Sequence, residues 1–291
     1  MTTLSIIILS YNTADLTLKC LKSIQDQYKK QFKSGEFEII VVDNASSDTS
    51  VSEISNIQFQ ISNFKLIRNK ENVGFSIGNN IGAINAKGKY LLFLNSDTEV
   101  LDRGFLGMVD YLDKNENVGV LGAKLLNQDG SSQRSTGKFY NILNVFLMLF
   151  GGEKIASIRF SPDKTKEVDW VSGAALMIKK ELFDKLSGFD EKIFMYMEDM
   201  ELCFRVKGLG FKTVFYSDIK ILHKELGSSN REFAIINIYK NLLYFYGKHK
   251  NFLEYMLIKL LLYLKAILAI AIGAITHNSY LTLTYKKALG F

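Results

Sequence analysis

The sequence predicts an α/β fold in which helices flank a mostly parallel central sheet. Residues 4–9, 38–42 and 90–94 are short apolar runs with the length and composition of buried strands. Segments long enough for a helix separate these runs, and residues 16–24 carry apolar side chains at helical spacing. Strands that alternate with helices in this way form parallel sheets covered by helices on both faces.

The composition limits the class of protein. The chain has 291 residues, of which 47% are hydrophobic and 23% are charged, as in ordinary globular proteins. These values exclude wholesale disorder and a polytopic membrane protein. Cys20 and Cys203 lack the spacing of a metal site, and the first residues lack the basic region of a secretory signal. We therefore expect a cytoplasmic protein in a reducing compartment.

The clustered basic residues lie in the C-terminal part of the chain. The formal net charge is +6, which suits nucleic acid, an anionic membrane or a phosphorylated substrate. Basic residues are dispersed, except for the clusters at 248–250 and 286–287, which flank an apolar segment at 252–275. This placement favours a membrane surface as the partner, and we expect no nucleic acid.

Small polar residues follow each of the first three predicted strands. In open α/β sheets, ligands bind at the carboxyl ends of the strands, so we expect Asn12, Asp43 and Asp97 to line one crevice. An ordinary turn is the alternative after the third strand, and a helix cap is the alternative after the second. The polar residues at the three ends are Ser10, Tyr11, Asn12, Asp43, Asn95, Ser96 and Asp97.

A glycine- and asparagine-rich segment, ENVGFSIGNNIG, occupies residues 71–82. Glycines admit the backbone close to a ligand, and the neutral amides of Asn72 and Asn79 suit sugar or phosphate oxygens. The segment lacks the spacing and the preceding strand of a dinucleotide-binding fingerprint.

Four motifs in order resemble those of family 2 glycosyltransferases of the GT-A fold, and specifically bacterial rhamnosyltransferases of surface-polysaccharide synthesis. The motifs are SYN at 10–12, DNAS at 43–46, NVGF at 72–75 and NSD at 95–97, and the resemblance covers about residues 3–230. It implies a nucleotide-sugar donor, with Ser10, Tyr11 and Asp43 around the nucleotide and with Asn72 and Asn79 near the ribose or sugar.

The same resemblance implies that residues 95–97 carry a divalent metal, Mg²⁺ or Mn²⁺. The usual form of this motif is Asp-x-Asp. Asn95 replaces the first carboxylate here, so Asp97 is the anionic ligand. His223, in the segment HKELGSS at 223–229, is a candidate metal or diphosphate contact, and a structural histidine is the alternative.

Residues on the acceptor side come from the second half of the chain. Glu198 and Asp199 stand where a helix is predicted to begin, and carboxylates there also serve as plain dipole partners. The resemblance implies that Asp199 is the general base of an inverting displacement and that Glu198 positions the acceptor or a loop. It also places Trp170 and Gly173 beside the acceptor, and a core tryptophan is the alternative.

The remaining elements are less regular. We predict strands at 118–126 and 170–178, a short helix that begins at Lys180, and a strand pair within 212–222. Residues 142–150 are apolar, and three roles stay open for them: core packing, a lid or contact with lipid.

The C-terminal region predicts a membrane-associating helical tail. Residues 252–275 are apolar but are interrupted by Lys259 and Lys265, which favours a helix in the membrane interface. A core helix or a homodimer contact is the alternative. We predict a catalytic domain at 1–230 and a helical region at 231–291.

Together these features predict an inverting, metal-dependent glycosyltransferase that is peripheral at the cytoplasmic face of the cell membrane. The expected reaction moves rhamnose from dTDP-rhamnose to a lipid-linked oligosaccharide acceptor. Two alternatives remain: a UDP-hexose-dependent transferase of the same fold, and a catalytically silent scaffold that binds nucleotide sugar at the membrane.

Overall fold

The computed structural model describes residues 1–58, 61–224 and 230–290, and the chain divides into two compact units. The first unit comprises Met1–Gly137, Phe160–Phe194 and Glu198–Ser228, and the second comprises Lys138–Arg159, Met195–Met197 and Ser229–Phe291. The domain boundary at residue 230 stays a prediction, and the second unit adds Lys138–Arg159 to the C-terminal residues.

The main sheet contains most of the strands. In chain order the strands are β1 Leu4–Ser10, β2 Phe37–Asp43, β3 Phe64–Arg68, β4 Tyr90–Asn95, β5 Thr98–Val100, β6 Val118–Leu126, β7 Thr136–Gly137, β8 Arg159–Phe160, β9 Lys166–Val168, β10 Trp170–Val171, β11 Ala175–Lys179 and β12 Lys212–His223. The main path through the sheet is β3-β2-β1-β4-β11-β6-β12-β5, and β9 pairs with β12. Four of the seven neighbouring pairs on this path are parallel, which confirms the predicted mostly parallel α/β sheet.

Helices complete both units. The helices of the first unit are α1 Ala14–Ser34, α2 Ser50–Gln58, α3 Gly74–Ile84, α4 Gly104–Lys114, α6 Lys180–Lys185 and α7 Glu198–Gly208; those of the second unit are α5 Ile142–Leu149, α8 Arg231–His249, α9 Phe252–Ile275 and α10 Ser279–Ala288. α1 buries Cys20, Leu21 and Ile24 at helical spacing against the sheet, as predicted. α6 and α7 begin at the predicted residues, Lys180 and Glu198.

Two strand predictions need correction, and one strand of the main sheet was not foreseen. The predicted strand at 170–178 is two strands, because the backbone turns at residues 172–174 and Ala174 O accepts a hydrogen bond from Asn95 N. The predicted pair within 212–222 is the single strand β12, whose register shifts between Tyr216 and Lys220. The sequence analysis missed β3, a half-exposed strand without a continuous apolar run.

The glycines of the segment at 71–82 have a packing role. A Cβ on Gly78 would lie 2.4 Å from Leu9 Cδ1, and one on Gly82 would lie 2.5 Å from Ile7 Cγ2. Gly74 has φ +82° and begins α3 directly above Phe194. Gly78 and Gly82 therefore bring α3 close to β1, and Gly74 brings its start close to Phe194. The expectation that these glycines admit a ligand stays a prediction.

The second unit is built around α9, which packs against α5, α8 and α10. One stripe of α9 is buried, with Ile258, Leu262, Ala266, Ala269 and Gly273 at helical spacing. Within the described residues α9 is the one helix long and apolar enough to cross a membrane, by length and composition alone; it has 24 residues and a mean hydropathy of 2.2.

Candidate active site

Three strand ends lie side by side at the carboxyl edge of the sheet. The register places Ser10 opposite Asp43 and Leu9 opposite Asn95. Because β1 lies between β2 and β4 and is parallel to both, the loops after these strands leave the sheet at the same edge.

Asn12 ties the loop after β1 to the loop after β2. Its side-chain oxygen accepts a hydrogen bond from Ser47 N at 2.8 Å, and its own backbone N donates to Ser46 Oγ at 2.9 Å. Asn12 has φ 53°, a left-handed conformation that asparagine tolerates better than most residues. Tyr11, the preceding residue, has an exposed side chain.

One carboxylate oxygen of Asp43 stabilises the loop after β2, and the other has no hydrogen-bond partner among the described residues. The residue is 1% exposed, and its Oδ2 accepts a hydrogen bond from Ser46 N at 3.0 Å. Oδ1 is buried and has no hydrogen-bond partner among the described residues. A buried acceptor without a donor is costly, so this oxygen suits an N–H or O–H donor of a ligand.

Ser10 and Ser96 belong to a buried cluster of hydroxyl groups. Ser10 Oγ lies 3.0 Å from Thr17 Oγ1 and 3.3 Å from Thr13 Oγ1, and Thr13 Oγ1 lies 3.2 Å from Ser96 Oγ. The cluster links the ends of β1 and β4 through the start of α1. Both serines therefore have structural hydrogen bonds in addition to any contact with a ligand.

Asp97 faces His223 across the ends of β4 and β12. Their Oδ1 and Nε2 atoms are 3.3 Å apart, and Asn95 Nδ2 is also 3.3 Å from Nε2. His223 Nδ1 donates a hydrogen bond to Gln133 Oε1 at 2.7 Å, and Gln133 Nε2 donates to Asn127 Oδ1 at 3.1 Å. This bond places a proton on Nδ1 and leaves Nε2 as the ring nitrogen that faces Asp97.

The Asp97–His223 pair fits a divalent cation. In an octahedral site with metal–ligand distances of about 2.1 Å, two adjacent ligand atoms lie about 3 Å apart. The distance between Asp97 Oδ1 and His223 Nε2, 3.3 Å, is close to this value. The Asp97 carboxylate suits either Mg²⁺ or Mn²⁺, whereas an imidazole with a hydrogen-bonded Nδ1 is a ligand for transition-metal ions, so the pair fits Mn²⁺ better than Mg²⁺. Among the described residues no group of three or more His, Cys, Asp and Glu side chains forms. Phosphate and water oxygens would therefore supply the remaining ligands.

Asp199 is oriented by two backbone groups at the start of α7. Its Oδ2 accepts a hydrogen bond from Gly173 N at 2.9 Å, and its Oδ1 accepts one from Met200 N at 2.7 Å. A Cβ on Gly173 would lie 3.5 Å from Asp199 Cβ and 3.4 Å from the Phe75 ring. The loop between β10 and β11 thus brings Gly173 and Asp199 together.

Glu198 is a buried acid beside Asp199. Its side chain is 6% exposed, and Oε2 has no hydrogen-bond partner among the described residues. Burial, and secondly the negative charge of Asp199, raise the pKa of Glu198 well above its usual value of 4.5. Burial and the neighbouring charge therefore favour the protonated form of Glu198.

A buried ion pair holds α7 in place. The Arg205 guanidinium binds both carboxylate oxygens of Glu201, at distances between 2.8 and 3.0 Å. It also donates to Leu186 O at 2.7 Å and to Gly188 O at 2.9 Å. Because Arg205 satisfies all three partners at once, the helix that presents Asp199 is fixed to the loop after α6.

Three other predicted site residues make contacts within the protein. Asn72 Oδ1 accepts hydrogen bonds from Asn44 Nδ2 at 2.7 Å and from Gly74 N at 3.0 Å. Asn79 Nδ2 donates to a carbonyl one turn earlier in α3, at 3.0 Å. Trp170 is 5% exposed, so most of its side chain is covered within the protein, and its place beside the acceptor stays a prediction.

Sequence reasoning missed Gln133, the partner of His223. Gln133 stands outside any motif in the sequence and is buried in the fold. The only signal was its location in the turn-rich segment after β6. Residues 225–229 of the segment HKELGSS lie outside the described residues.

The arrangement of acids, amides and hydroxyls at one sheet edge agrees with the comparison with protein families. The model described as Glycosyl transferase family 2 matches residues 5–187. The chain belongs to this family. Inversion of configuration at the transferred sugar is general among family 2 glycosyltransferases.

Individual relatives share between 26% and 35% sequence identity with this chain over the matched residues. The dTDP-rhamnosyl transferase RfbF of Shigella flexneri is 26% identical over 80% of this chain and 72% of its own length. An N-acetylglucosaminyl-diphospho-decaprenol L-rhamnosyltransferase of Mycobacterium tuberculosis is 35% identical over 25% of this chain and 24% of its own length. Two further relatives match 68% and 72% of this chain. The matched regions are only 22% and 16% of the lengths of those relatives, so this chain spans a small part of each.

Solved structures support the GT-A fold. The crystal structure of GalNAc-T7 with UDP, GalNAc and Mn²⁺ has a TM-score of 0.62 and 19% identity, and the match covers 84% of this chain and 50% of that one. At this identity the likeness concerns the fold alone.

Replacing Glu198 with Gln is expected to stabilise the protein, and more so at higher pH. The unfolded carboxyl ionises near its usual pKa of 4.5, while the folded one resists ionisation, so the native state loses stability as pH rises above 4.5. The advantage of Glu198→Gln in unfolding free energy is expected to grow by at most about 1.4 kcal/mol per pH unit and then level off.

Chemical denaturation of both proteins between pH 4.5 and 8 measures this difference. The exposed Glu116→Gln is the control and is expected to shift stability by a small, pH-independent amount. If Glu198→Gln has a pH-independent effect as well, the shifted pKa of Glu198 is wrong.

Proposed function

We propose that the protein is an inverting, metal-dependent glycosyltransferase of bacterial surface-polysaccharide synthesis. It moves a sugar from a nucleotide donor to a lipid-linked glycan, and rhamnose from dTDP-rhamnose is the favoured donor. The observation that carries this proposal is the Asp97–His223 pair at the same sheet edge as Asp43, where the strands of a family 2 glycosyltransferase end.

The donor nucleotide binds at the ends of β1 and β2 in this proposal. Asp43 Oδ1 accepts a hydrogen bond from the base or the ribose, which satisfies its buried lone pairs. The exposed ring of Tyr11 contacts the base, and the Asn12–Ser47 bond keeps the two loops at a fixed separation.

Asp97 and His223 would hold the divalent metal in this proposal. Gln133 keeps His223 in the tautomer whose Nε2 is a ligand, and Asn95 lies beside the same atom. When bound, the cation neutralises the charge that develops on the diphosphate leaving group. The protein supplies one carboxylate and one imidazole, which leaves positions for the phosphate oxygens of the donor.

Asp199 is the general base. The acceptor hydroxyl oxygen attacks the anomeric carbon while the bond from that carbon to the phosphate oxygen breaks, and the hydroxyl proton moves to an Asp199 oxygen. A single displacement inverts the configuration at the carbon. The Gly173 and Met200 N–H groups keep the carboxylate in one orientation, so that one lone pair can face the incoming hydroxyl.

The relatives' names support the choice of donor and acceptor. One is a dTDP-rhamnosyl transferase, and another acts, by its name, on a decaprenyl diphosphate that carries N-acetylglucosamine. A UDP-hexose donor is the second candidate, because the GalNAc-T7 structure holds UDP and GalNAc.

Asp199→Asn is expected to lower sugar transfer by roughly 10² to 10⁴-fold, the range for losing a positioned proton acceptor. Donor affinity is expected to stay unchanged, and the melting temperature is expected to fall slightly, because Asn keeps the shape but can accept only one of the two backbone hydrogen bonds that Asp199 accepts from Gly173 and Met200. The assay uses labelled dTDP-rhamnose or UDP-hexoses, Mn²⁺ and N-acetylglucosaminyl-diphospho-decaprenol as the acceptor.

Asp184→Asn, which removes an exposed carboxylate on α6, is the matched control and is expected to transfer sugar normally. Full activity of Asp199→Asn would refute the base assignment and direct attention to Glu198. Tight donor binding by the unaltered protein without any transfer would favour the silent scaffold.

The second unit carries the chain's excess of positive charge. It contains eleven Lys and Arg residues against three Asp and Glu, an excess of eight, whereas the whole chain has +6. The same unit exposes a row of large apolar side chains on α9, at the positions Phe252, Leu253, Met256, Leu257, Leu260, Leu264, Ile267, Leu268 and Ile275. Exposed apolar surface with surrounding cations suits an anionic membrane.

Binding to vesicles tests this peripheral location. The protein is expected to float with phosphatidylglycerol-containing vesicles and to bind pure phosphatidylcholine at least tenfold more weakly, with the difference shrinking at high salt. Truncation before Phe252 is expected to abolish flotation. A soluble dimer that binds neither vesicle would contradict the membrane location and indicate that a second copy covers α9.

A further inference from the structure

The turn that follows β6 lies next to His223, one of the two side chains proposed to hold the cation. Leu126, the last residue of β6, is paired with Leu222 of β12, the residue before His223. The backbone closes the turn, since Asn127 N donates a hydrogen bond to Ser131 O at 2.8 Å. The register of two strands therefore brings a well-ordered turn beside this histidine.

Four side-chain hydrogen bonds connect His223 to the outer end of the turn. His223 Nδ1 lies 2.7 Å from Gln133 Oε1, and Gln133 Nε2 donates to Asn127 Oδ1 at 3.1 Å. Asn127 Nδ2 donates to Ser131 Oγ at 2.9 Å, and Ser131 Oγ donates to Asp129 Oδ1 at 2.6 Å. Gln133 is 6% exposed, whereas Ser131 and Asp129 lie at the surface. Each of these bonds donates away from His223.

Two groups that can only accept hydrogen bonds fix the direction of this chain of bonds. At the outer end, the hydrogen bonds from the Ser131 side chain and backbone hold the pKa of Asp129 below its usual value, so the group there is a carboxylate. Ser131 donates its hydroxyl proton to that carboxylate and accepts from Asn127. At the inner end, Gln133 Nε2 also lies 3.4 Å from the backbone oxygen of His223. Because that oxygen is an acceptor, the carbonyl oxygen of the Gln133 side chain faces His223 Nδ1.

The contacts of His223 Nε2 agree with a proton on Nδ1. Nε2 is 3.3 Å from Asp97 Oδ1, longer than the roughly 2.7–2.9 Å of a charge-assisted hydrogen bond. Asn95 Nδ2, a donor, is also 3.3 Å from Nε2. A neutral imidazole can carry its proton on either nitrogen, so the surrounding groups decide which one is protonated. Here they leave Nε2 with a lone pair, the form that binds a metal.

We propose that Gln133 and Asn127 are positioning residues that make the cation site prefer Mn²⁺ over Mg²⁺. An unprotonated imidazole nitrogen is a ligand that suits Mn²⁺, whereas Mg²⁺ prefers oxygen ligands. A proton on Nε2 of His223 would leave the carboxylate of Asp97, which suits either ion. The inference rests on the proposed function, in which Asp97 and His223 hold the metal.

Nuclear magnetic resonance of the metal-free protein measures the tautomer. Long-range proton–nitrogen correlation spectra distinguish the two neutral forms of histidine, and the chain has 3 histidines to assign. At about pH 8.5, His223 is expected to carry its proton on Nδ1. Gln133→Leu removes the acceptor and is expected to move the proton to Nε2. Gln133→Glu keeps an oxygen acceptor and is expected to keep the proton on Nδ1.

Binding of Mn²⁺ alone, followed by the electron paramagnetic resonance signal of the free ion, measures the preference, with Mg²⁺ as the competitor. Gln133→Leu is expected to weaken Mn²⁺ binding about 10- to 100-fold, the range for losing the partner behind a ligating histidine, with little change for Mg²⁺. Asn127→Leu is expected to act in the same direction but less, because Gln133 then keeps one of the two contacts that orient its amide. Gln133→Glu is expected to restore the preference for Mn²⁺.

The matched control is Gln128→Leu, which changes an exposed glutamine in the same turn and is expected to alter neither the tautomer nor the metal preference. A proton on Nε2 of His223 in the unaltered protein would overturn the inference, whether or not the variants fold. Equal losses of Mn²⁺ and Mg²⁺ binding in Gln133→Leu would also overturn it, since a merely structural role predicts that result.

Neither measurement requires sugar transfer, so the two proposals are tested separately. The expected tautomer and Mn²⁺ preference in a protein that transfers no sugar from any donor would refute the proposed activity and retain the role of Gln133. Sugar transfer with a metal preference that is unchanged in Gln133→Leu would retain the activity and overturn the inference.

Discussion

The parallel register of β1 with β2 and β4 is the constraint on which the site depends. It places Ser10 beside Asp43 and Leu9 beside Asn95, so residues separated by more than eighty positions in sequence reach one sheet edge. Hydrogen bonds then fix the loops: Asn12 joins the loops after β1 and β2, and the Ser10 hydroxyl cluster joins β1 to β4. In the proposed function, this alignment would bring the diphosphate of a donor held by Asp43 near the carboxylate that follows β4.

Much of this alignment could be predicted from the sequence, since buried parallel strands are apolar runs and their polar ends are visible. The strand β3 could not be predicted from the sequence, because its half-exposed residues include Lys65 and form no continuous apolar run. The break at 172–174 was also hidden, because it depends on hydrogen bonds to Asn95 and Asp199 from distant elements. Gln133 orients His223 through a contact across ninety residues, which a single sequence does not reveal.

The second unit carries both the excess of positive charge and the exposed apolar side chains of α9. The second unit has an excess of eight positive charges, so the first has a small negative excess despite the basic chain. A net charge alone would have suited nucleic acid equally well. The concentration of positive charge in the unit that exposes the apolar residues of α9 is what favours an anionic lipid surface as the proposed partner.

The central claim is that Asp97 and His223 hold a cation that helps a nucleoside diphosphate to leave. The most direct measurement is the release of dTDP or UDP from dTDP-rhamnose and UDP-hexoses, with and without Mn²⁺ or Mg²⁺. We expect metal-dependent release from one donor class, and a loss of about 10²-fold or more in Asp97→Asn with an unchanged melting temperature. Release from no donor, or full metal-supported activity in Asp97→Asn, would contradict the account.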